Sequence, residues 1–173
     1  MIPSSYSFWD LHVTIQDSMG WEDEHLHSFL ISDPDSNNPV RTYIPIDDFL
    51  AIIGNESEEQ EMIISNYFNE DNTIAKYVYD FGDNWEHTVK FEKILELDSS
   101  EKIPRCIAGK RACPPEDCGG VYGYYHLLSV IKEPNHSEYD DIMDWLEEDF
   151  DPEVFEPDSV IFYDPAERLK RFE

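Results

Sequence analysis

Apolar side chains recur every three or four positions near the start of the chain, which predicts an amphipathic helix from Ser5 to Met19. The apolar positions are Phe8, Leu11, Ile15 and Met19. Ser4 or Ser5 is predicted to cap the start of this helix, and Gly20 to close its end. His12 is spaced with the apolar stripe, so its imidazole is predicted to face the core.

The next segment changes to a period of two, which predicts a strand from His25 to Ile31. One face of this strand carries His25, His27, Phe29 and Ile31. Turn residues at 33–39 precede a second predicted strand from Val40 to Ile44. Weaker patterns predict, in order, a short helix at 47–55, a short strand at Met62–Ile64 and a helical turn at Ser65–Asn69.

The clearest strands are predicted at Ile74–Phe81 and Trp85–Leu97, with a tight turn between them. The turn runs through Gly82, Asp83 and Asn84, and Gly82 is predicted to supply a positive φ. Alternation on the second strand places Trp85, His87, Val89 and Phe91 on one face.

The last part of the chain is predicted to be helical after an ordered loop at Asp98–Gly123. One helix is marked by apolar residues from Tyr124 to Ile131, and another begins at Ser137, capped together with Asp140, and passes through Leu146. Two Asp-Pro pairs, at Asp151 and Asp164, resemble a cap followed by proline in the first helical turn. Strands followed by helices predict a single α+β domain over residues 1–173, with a largely antiparallel sheet and helices packed on one face.

The composition of the chain limits the kinds of partner that it is expected to bind. The chain has 39 acidic and 12 basic residues, and its formal net charge is −27. A polyanion is repelled by phosphates, so a nucleic-acid partner is not expected. No apolar run is long enough to span a membrane, and no signal peptide is recognisable, so a cytoplasmic protein is expected. The acidity favours either a solvated surface or attraction to cations and basic proteins.

Histidines and carboxylates form the main candidate site. His12, His25, His27 and His87 all fall on predicted inward faces, and Asp80 and Asp83 flank the turn before His87. Imidazoles and carboxylates in one cleft suit a divalent metal or acid–base chemistry. The alternative is that each histidine is a hydrogen-bonded core residue and each aspartate bonds its own turn backbone.

The loop before the predicted Tyr124 helix adds two carboxylates, Glu116 and Asp117. They are predicted to cap that helix, or to reach a cation in the same pocket. Catalytic candidates are His87, Asp83, Asp80, Glu116 and Asp117. Ligand-binding candidates are His12, His25, His27, Trp85 and Tyr124.

Three cysteines lie in the same loop, at Cys106, Cys113 and Cys118. Structural zinc sites usually contain a pair of cysteines two to four residues apart, and this spacing does not. Zinc bound by the three thiols, with His87 or His126 as the fourth ligand, is one interpretation. Burial of the thiols as small apolar groups is the other.

Four segments in this order resemble the plasmid pRiA4b Orf-three-like family. They are D-L-H-x-x-I-Q-x-x-M-G-W-x-x-x-H-L-H-x-F at Asp10–Phe29, Y-x-Y-D-F-G-D-x-W-x-H at Tyr77–His87, C-P-P-E-D-C-G-G-x-x-G-Y at Cys113–Tyr124 and D-F-D-P-E-x-F at Asp149–Phe155. The resemblance implies a shared fold and an association with plasmids and mobile elements. Some members carry the label of resolvase-like passenger protein, but the resemblance brings no catalytic residues with it.

The same resemblance places a strand before the first helix, where this sequence has only Met1–Ser4. Two alternatives follow. Either the natural protein begins upstream of Met1, or the first strand is missing and the sheet exposes an edge near the N-terminal helix, where a second copy of the chain would pair to form a homodimer. Two functions remain open at this point. One is a domain that binds a small ligand or divalent metal, with or without hydrolysis of that ligand. The other is a non-enzymatic module whose acidic surface binds a basic protein.

Overall fold

Five strands form one sheet in the ranges that the computed structural model describes, which are residues 1–43, 56–98, 100–146 and 150–171. The strands are β1 (His27–Ser32), β2 (Pro39–Tyr43), β3 (Glu56–Glu58), β4 (Ile74–Tyr79) and β5 (Trp85–Lys90). Their order across the sheet is β3-β2-β1-β4-β5, and every neighbouring pair is antiparallel except β2 with β3. The prediction of an α+β domain with a largely antiparallel sheet is confirmed.

The first helix, α1, spans Phe8–Met19. Its N-cap is Ser7, whose hydroxyl accepts a hydrogen bond from the Asp10 amide at 3.1 Å, while the Asp10 carboxylate accepts one from the Ser7 amide at 2.8 Å. This reciprocal capping box shows that the predicted caps, Ser4 and Ser5, were wrong. Gly20 closes the helix in the left-handed conformation, as predicted.

One face of the sheet is buried beneath α1, and the other faces solvent. On β4 the side chains of Ala75, Tyr77 and Tyr79 are buried, while those of Ile74 and Lys76 are exposed. On β5 the predicted alternation also holds, and the buried face meets Phe8 and Leu11 of α1 in the hydrophobic core. The face that carries the predicted histidines is therefore the inner face.

The turn between β4 and β5 is built differently from the prediction. The residues with positive φ are Asp80 (φ 53) and Asn84 (φ 54), and Gly82 is not one of them. Asp and Asn tolerate the left-handed region better than most residues, because their short polar side chains bond the local backbone. Asp80 does so here, since its Oδ1 accepts a hydrogen bond from the Gly82 amide at 2.8 Å.

Three further α-helices follow in the described part of the chain: α2 (Gly120–Val130), α3 (Tyr139–Trp145) and α4 (Pro165–Leu169). Asp164 caps α4 through the Ala166 amide, as predicted. α3 has no side-chain cap, so the predicted capping pair of Ser137 and Asp140 was wrong.

The structure differs from other local predictions as well. Asp151 forms a turn in which its carboxylate accepts from the Glu153 amide, and no helix begins there. The predicted strand at Met62–Ile64 is only an isolated bridge between Ser7 and Ile63, next to a 3₁₀ helix at Ile64–Asn66. The helix predicted at 47–55 lies outside the described residues. Within the described residues, no helix is long and apolar enough to cross a membrane.

Candidate functional site

Three predicted residues meet at one end of the sheet. His25 Nε2 lies 3.1 Å from Asp117 Oδ1, and His25 Nδ1 lies 4.0 Å from Asp80 Oδ1. One ligand atom from each residue lies within 4.8 Å of the other two. His25 precedes β1, Asp80 follows β4, and Asp117 lies in the loop before α2. We call these three residues the outer cluster.

The outer cluster is accessible from one side. The side chain of Asp117 is 67% exposed, that of His25 is 30% exposed and that of Asp80 is 13% exposed. His25 Nε2 is shielded from solvent and makes no hydrogen bond, although it lies at ion-pair distance from Asp117. A shielded imidazole nitrogen beside two carboxylates is a donor set that suits a divalent cation.

Both carboxylates of the outer cluster belong to residues with an uncommon backbone conformation. Asp80 and Asp117 each adopt a left-handed conformation, with φ 53 and φ 56. Residues other than glycine are uncommon in this region, and such conformations cluster at functional sites.

Glu116 fixes the loop that carries Asp117. Its carboxylate accepts a hydrogen bond from the Glu22 amide at 2.7 Å and another from the Tyr79 hydroxyl. Burial raises the pKa of Tyr79, and the hydrogen bond to Glu116 raises it further, so the phenol stays protonated as a donor. Trp21 Nε1 also donates to the Pro114 carbonyl at 2.9 Å. These bonds join the segment before β1 to the loop, and so hold Asp117 near His25.

Asp83 also stabilises the loop that carries Asp117. Its Oδ2 accepts a hydrogen bond from the Gly119 amide at 3.1 Å. A Cβ on Gly120 would lie 2.6 Å from the Asp83 carbonyl oxygen, and Gly120 has φ +65. The paired glycines therefore allow the hairpin turn and the start of α2 to touch.

A second group of predicted residues is buried beneath α1. The rings of His12 and His27 stack with centroids 3.3 Å apart and planes 2° apart. His12 Nε2 lies 2.8 Å from Asp23 Oδ1, and His27 Nε2 lies 2.8 Å from Glu59 Oε2. We call these four residues the buried network.

The orientation of the Gln16 amide decides which ring nitrogen of His12 carries the proton, and an amide nitrogen that faces Tyr77 places it on Nε2. Gln16 Nε2 donates to the Tyr77 hydroxyl at 2.9 Å, so the hydroxyl proton is directed to His12 Nδ1, also at 2.9 Å. His12 Nε2 then carries the ring proton and donates it to Asp23. Burial, and secondarily the charge of His27, lowers the pKa of His12, which keeps this imidazole neutral.

The pKa values of the two carboxylates in the buried network shift in opposite directions. Burial alone would raise the pKa of Glu59, but the charge of His27 and hydrogen bonds from His27 and Thr42 lower it. Burial raises the pKa of Asp23 to about 6. Asp23 Oδ2 is buried and has no hydrogen-bond partner.

Three other candidates lie in or against the core. The His87 ring packs against those of Trp21 and Tyr77, each with its centroid 5.6 Å away, and burial lowers the pKa of His87. Trp85 is buried in the hydrophobic core, and Tyr124 packs against that core.

The cysteines do not form a common ligand set in the described ranges. Cys113 and Cys118 pack against the core, and Cys113 Sγ lies 3.4 Å from the Met19 sulfur. Cys106 Sγ contacts the Ala108 carbonyl at 3.6 Å. Of the groups of three close ligand atoms in the described ranges, none includes a cysteine or His87. The zinc hypothesis therefore gains no support from the structure.

Sequence patterns did not indicate Asp23 and Glu59. Asp23 has φ 63, and this reversal turns its carboxylate inward towards His12. Glu59 follows β3, which is brought beside β2 by parallel pairing with no local signature. A single weak signal existed for Asp23, because an acid two residues before His25 extends the same period of two.

Comparison with known proteins finds a family model, a relative and a solved structure that are similar to this chain. The family model described as plasmid pRiA4b ORF-3-like protein matches residues 1–159. The uncharacterized protein y4hQ of Sinorhizobium fredii (strain NBRC 101917 / NGR234) is 29% identical over 147 residues, which cover 84% of this chain and 70% of that protein. A crystal structure of a protein of unknown function, MM3350 from Methanosarcina mazei Go1, is similar with a TM-score of 0.85 and 43% identity, over 93% of this chain and 86% of that one.

Proposed function

The chain belongs to the plasmid pRiA4b ORF-3-like protein family, and we propose that it binds a divalent cation through the outer cluster of His25, Asp80 and Asp117. The observation that carries this proposal is the convergence of one ligand atom each from His25, Asp80 and Asp117 within 4.8 Å, with His25 Nε2 3.1 Å from Asp117 Oδ1 and making no hydrogen bond. A nitrogen donor with two carboxylates favours an ion such as Mn²⁺ or Zn²⁺.

Electrostatics support the same conclusion. The chain carries a formal charge of −27, so its surface potential concentrates cations. Two carboxylates beside one imidazole repel each other unless a cation or proton lies between them. The strained backbone at Asp80 and Asp117 keeps them together, and Glu116 and Asp83 hold that arrangement.

The exposed position of Asp117 leaves room for a ligand at the bound ion. A divalent cation attracts anionic groups and lowers the pKa of a water molecule bound to it. The small ligand proposed for this site is therefore anionic, such as a phosphate or carboxylate compound. Hydrolysis of such a compound is the reaction to assay once binding is measured.

Titration with Mn²⁺ tests the proposal, because free Mn²⁺ has an electron paramagnetic resonance signal that binding broadens. We expect a saturable site in the wild-type protein, and an affinity lower by at least about tenfold in Asp117→Asn and His25→Gln. Asp140→Asn and His126→Gln are matched controls, because these residues are exposed and lie outside the cluster. Equal affinity in all five proteins would show that the outer cluster is not the site.

A second candidate function is a non-enzymatic module that binds a basic protein. The start of α2 favours it, since Val121, Tyr122 and Tyr125 are exposed there on an acidic chain, Tyr122 by 90%. Binding of a basic partner that is lost in Tyr122→Ser and kept in Asp117→Asn would favour the module. The opposite pattern would favour a partner that requires the cation.

A further inference from the structure

We propose that the buried network is a second cation site, separate from the outer cluster, which holds a first-row transition-metal ion through His12, His27, Asp23 and Glu59. Two imidazoles and two carboxylates select ions such as Zn²⁺ or Co²⁺ over Mg²⁺ and Ca²⁺, which prefer oxygen ligands. The proposal does not depend on cation binding at the outer cluster.

The donors converge from four segments of the chain. His12 lies on α1, His27 on β1, Asp23 between them and Glu59 just after β3. Ligand atoms of His12, Asp23 and His27 already lie within 4.8 Å of one another, and Glu59 Oε2 is 2.8 Å from His27 Nε2. All four side chains are buried, where ionisable groups are unfavourable unless they are paired or bind a metal.

One atom of the network indicates a cation more directly. The Asp23 side chain is only 1% exposed, so water does not solvate its Oδ2, and no protein group in the described ranges donates a hydrogen bond to this atom. Native structures pair nearly all buried carboxylate oxygens with a donor or an ion. The positive charge of Arg168 acts on Asp23, but the Arg168 guanidinium donates to Asp17. A cation beside His12 and His27 would therefore supply the missing partner of Oδ2.

The surrounding bonds resemble the outer shell of a metal site. A histidine ligand usually donates from its other ring nitrogen to a fixed acceptor, and the Tyr77 hydroxyl, 2.9 Å from His12 Nδ1, would be that acceptor once the ring proton has moved to Nδ1. Glu59 is held on its second oxygen by the Thr42 hydroxyl, which itself accepts a hydrogen bond from the Phe29 amide at 2.9 Å. The Tyr77 and Thr42 hydroxyls would thus orient His12 and Glu59 through the ligand atoms that do not bind the ion.

Metal binding requires a defined movement. The lone pair of each imidazole nitrogen lies in the plane of its ring, and the planes of His12 and His27 are only 2° from parallel. One ion cannot lie in both planes while the rings are stacked in this way, so the rings must splay to direct both lone pairs at it. The proton on His12 Nε2 moves to Nδ1, the Tyr77 hydroxyl accepts from Nδ1, and a rotated Gln16 amide oxygen accepts from the hydroxyl.

Cobalt spectroscopy tests the site in the full chain. We expect Asp117→Asn protein, refolded from urea with Co²⁺ and passed over a chelating resin, to retain Co²⁺ with visible ligand-field bands and no thiolate charge-transfer band. Glu59→Gln in the same background should lose the retained ion. Its control is Glu58→Gln, because Glu58 is the exposed neighbour.

A second measurement does not depend on any variant at the buried positions folding correctly. In wild-type protein loaded with diamagnetic Zn²⁺, the ¹⁵N resonances of His12 and His27 should show metal-bound Nε2 atoms. Nε2 atoms that remain protonated under saturating Zn²⁺ would overturn the proposal, as would complete removal of Co²⁺ from Asp117→Asn. If His25→Gln loses Mn²⁺ binding but retains Co²⁺ in the buried network, the two sites are separate.

Discussion

Gly120 lies where the hairpin turn meets the start of α2, and it brings Asp83 into contact with the loop of Asp117. Gly120→Ala should destabilise the protein for two reasons. The left-handed conformation costs about 1–2 kcal/mol for a residue with a side chain, and the new Cβ would lie 2.6 Å from a backbone oxygen.

Gly20→Ala separates these two effects. Gly20 has φ +74, but nothing lies within 4 Å of its added Cβ. Urea denaturation should therefore give a larger loss of unfolding free energy for Gly120→Ala than for Gly20→Ala. Equal losses would mean that the backbone contact with Asp83 does not restrict the loop.

Two thiols are predicted to react slowly. Burial raises the pKa of Cys113 to about 12 and that of Cys118 to about 11. Since the thiolate is the reacting form, its fraction near neutral pH is small in the folded protein. The higher nucleophilicity of a more basic thiolate offsets this only in part, so alkylation should be slower than in the unfolded chain by more than about tenfold.

Mass spectrometry of iodoacetamide-treated protein measures this rate for each peptide. The rate for Cys118 should rise with pH up to about 11, because the fraction of thiolate keeps increasing until the pKa is reached. Protein unfolded in urea supplies the reference rate. Labelling of Cys113 and Cys118 at that reference rate in the native protein would contradict the burial of these thiols.

At the scale of the element, α1 positions His12 and begins at the capping box of Ser7 and Asp10. Ser7→Ala should lower the free energy of unfolding by about 1 kcal/mol, because the Asp10 amide loses its acceptor. Ser5→Ala is the matched control, since Ser5 is exposed and precedes the cap. Thermal unfolding measures both changes. An equal loss of unfolding free energy in the two variants would show that Ser7 is not the N-cap.

Element types were more predictable than their ends. The stripe of Phe8 and Leu11 indicated α1, and alternation around Trp85 indicated β5, because each pattern reflects burial on one face. The cap was missed because three nearby serines, Ser4, Ser5 and Ser7, satisfy the same rule. β5 ends at Lys90 rather than Leu97, since continued alternation does not show where a partner strand stops.

The two sites were predictable to different degrees. His25, Asp80 and Asp117 were all chosen from the sequence, and the structure brings them together. They were expected to share one pocket with His12, His27 and His87, whereas His12 and His27 form a separate buried network. That separation depends on the reversal at Asp23 and on the pairing of β2 with β3, which are tertiary features without a local pattern.

At the scale of the whole molecule, the formal charge of −27 opposes compaction. The folded state holds these charges closer together than the unfolded state, so screening by salt should favour folding. The melting temperature should therefore rise as KCl is increased from low ionic strength. A melting temperature that stays constant or falls with KCl would show that self-repulsion is not a major term.

The same titration distinguishes screening from specific binding. Once KCl no longer raises the melting temperature, added Mn²⁺ should raise it further in the wild-type protein by selective binding to the folded state. Asp117→Asn should show a smaller rise, and Asp140→Asn an unchanged one. Equal rises in the three proteins would assign the effect of Mn²⁺ to general screening.

Anomalous diffraction from crystals grown with Mn²⁺ tests cation binding at the outer cluster most directly. We predict an anomalous peak between His25, Asp80 and Asp117, with ligand distances of about 2.0–2.4 Å, and its loss in Asp117→Asn crystals. Crystals that show no peak at these three residues under saturating Mn²⁺ would contradict the proposed function.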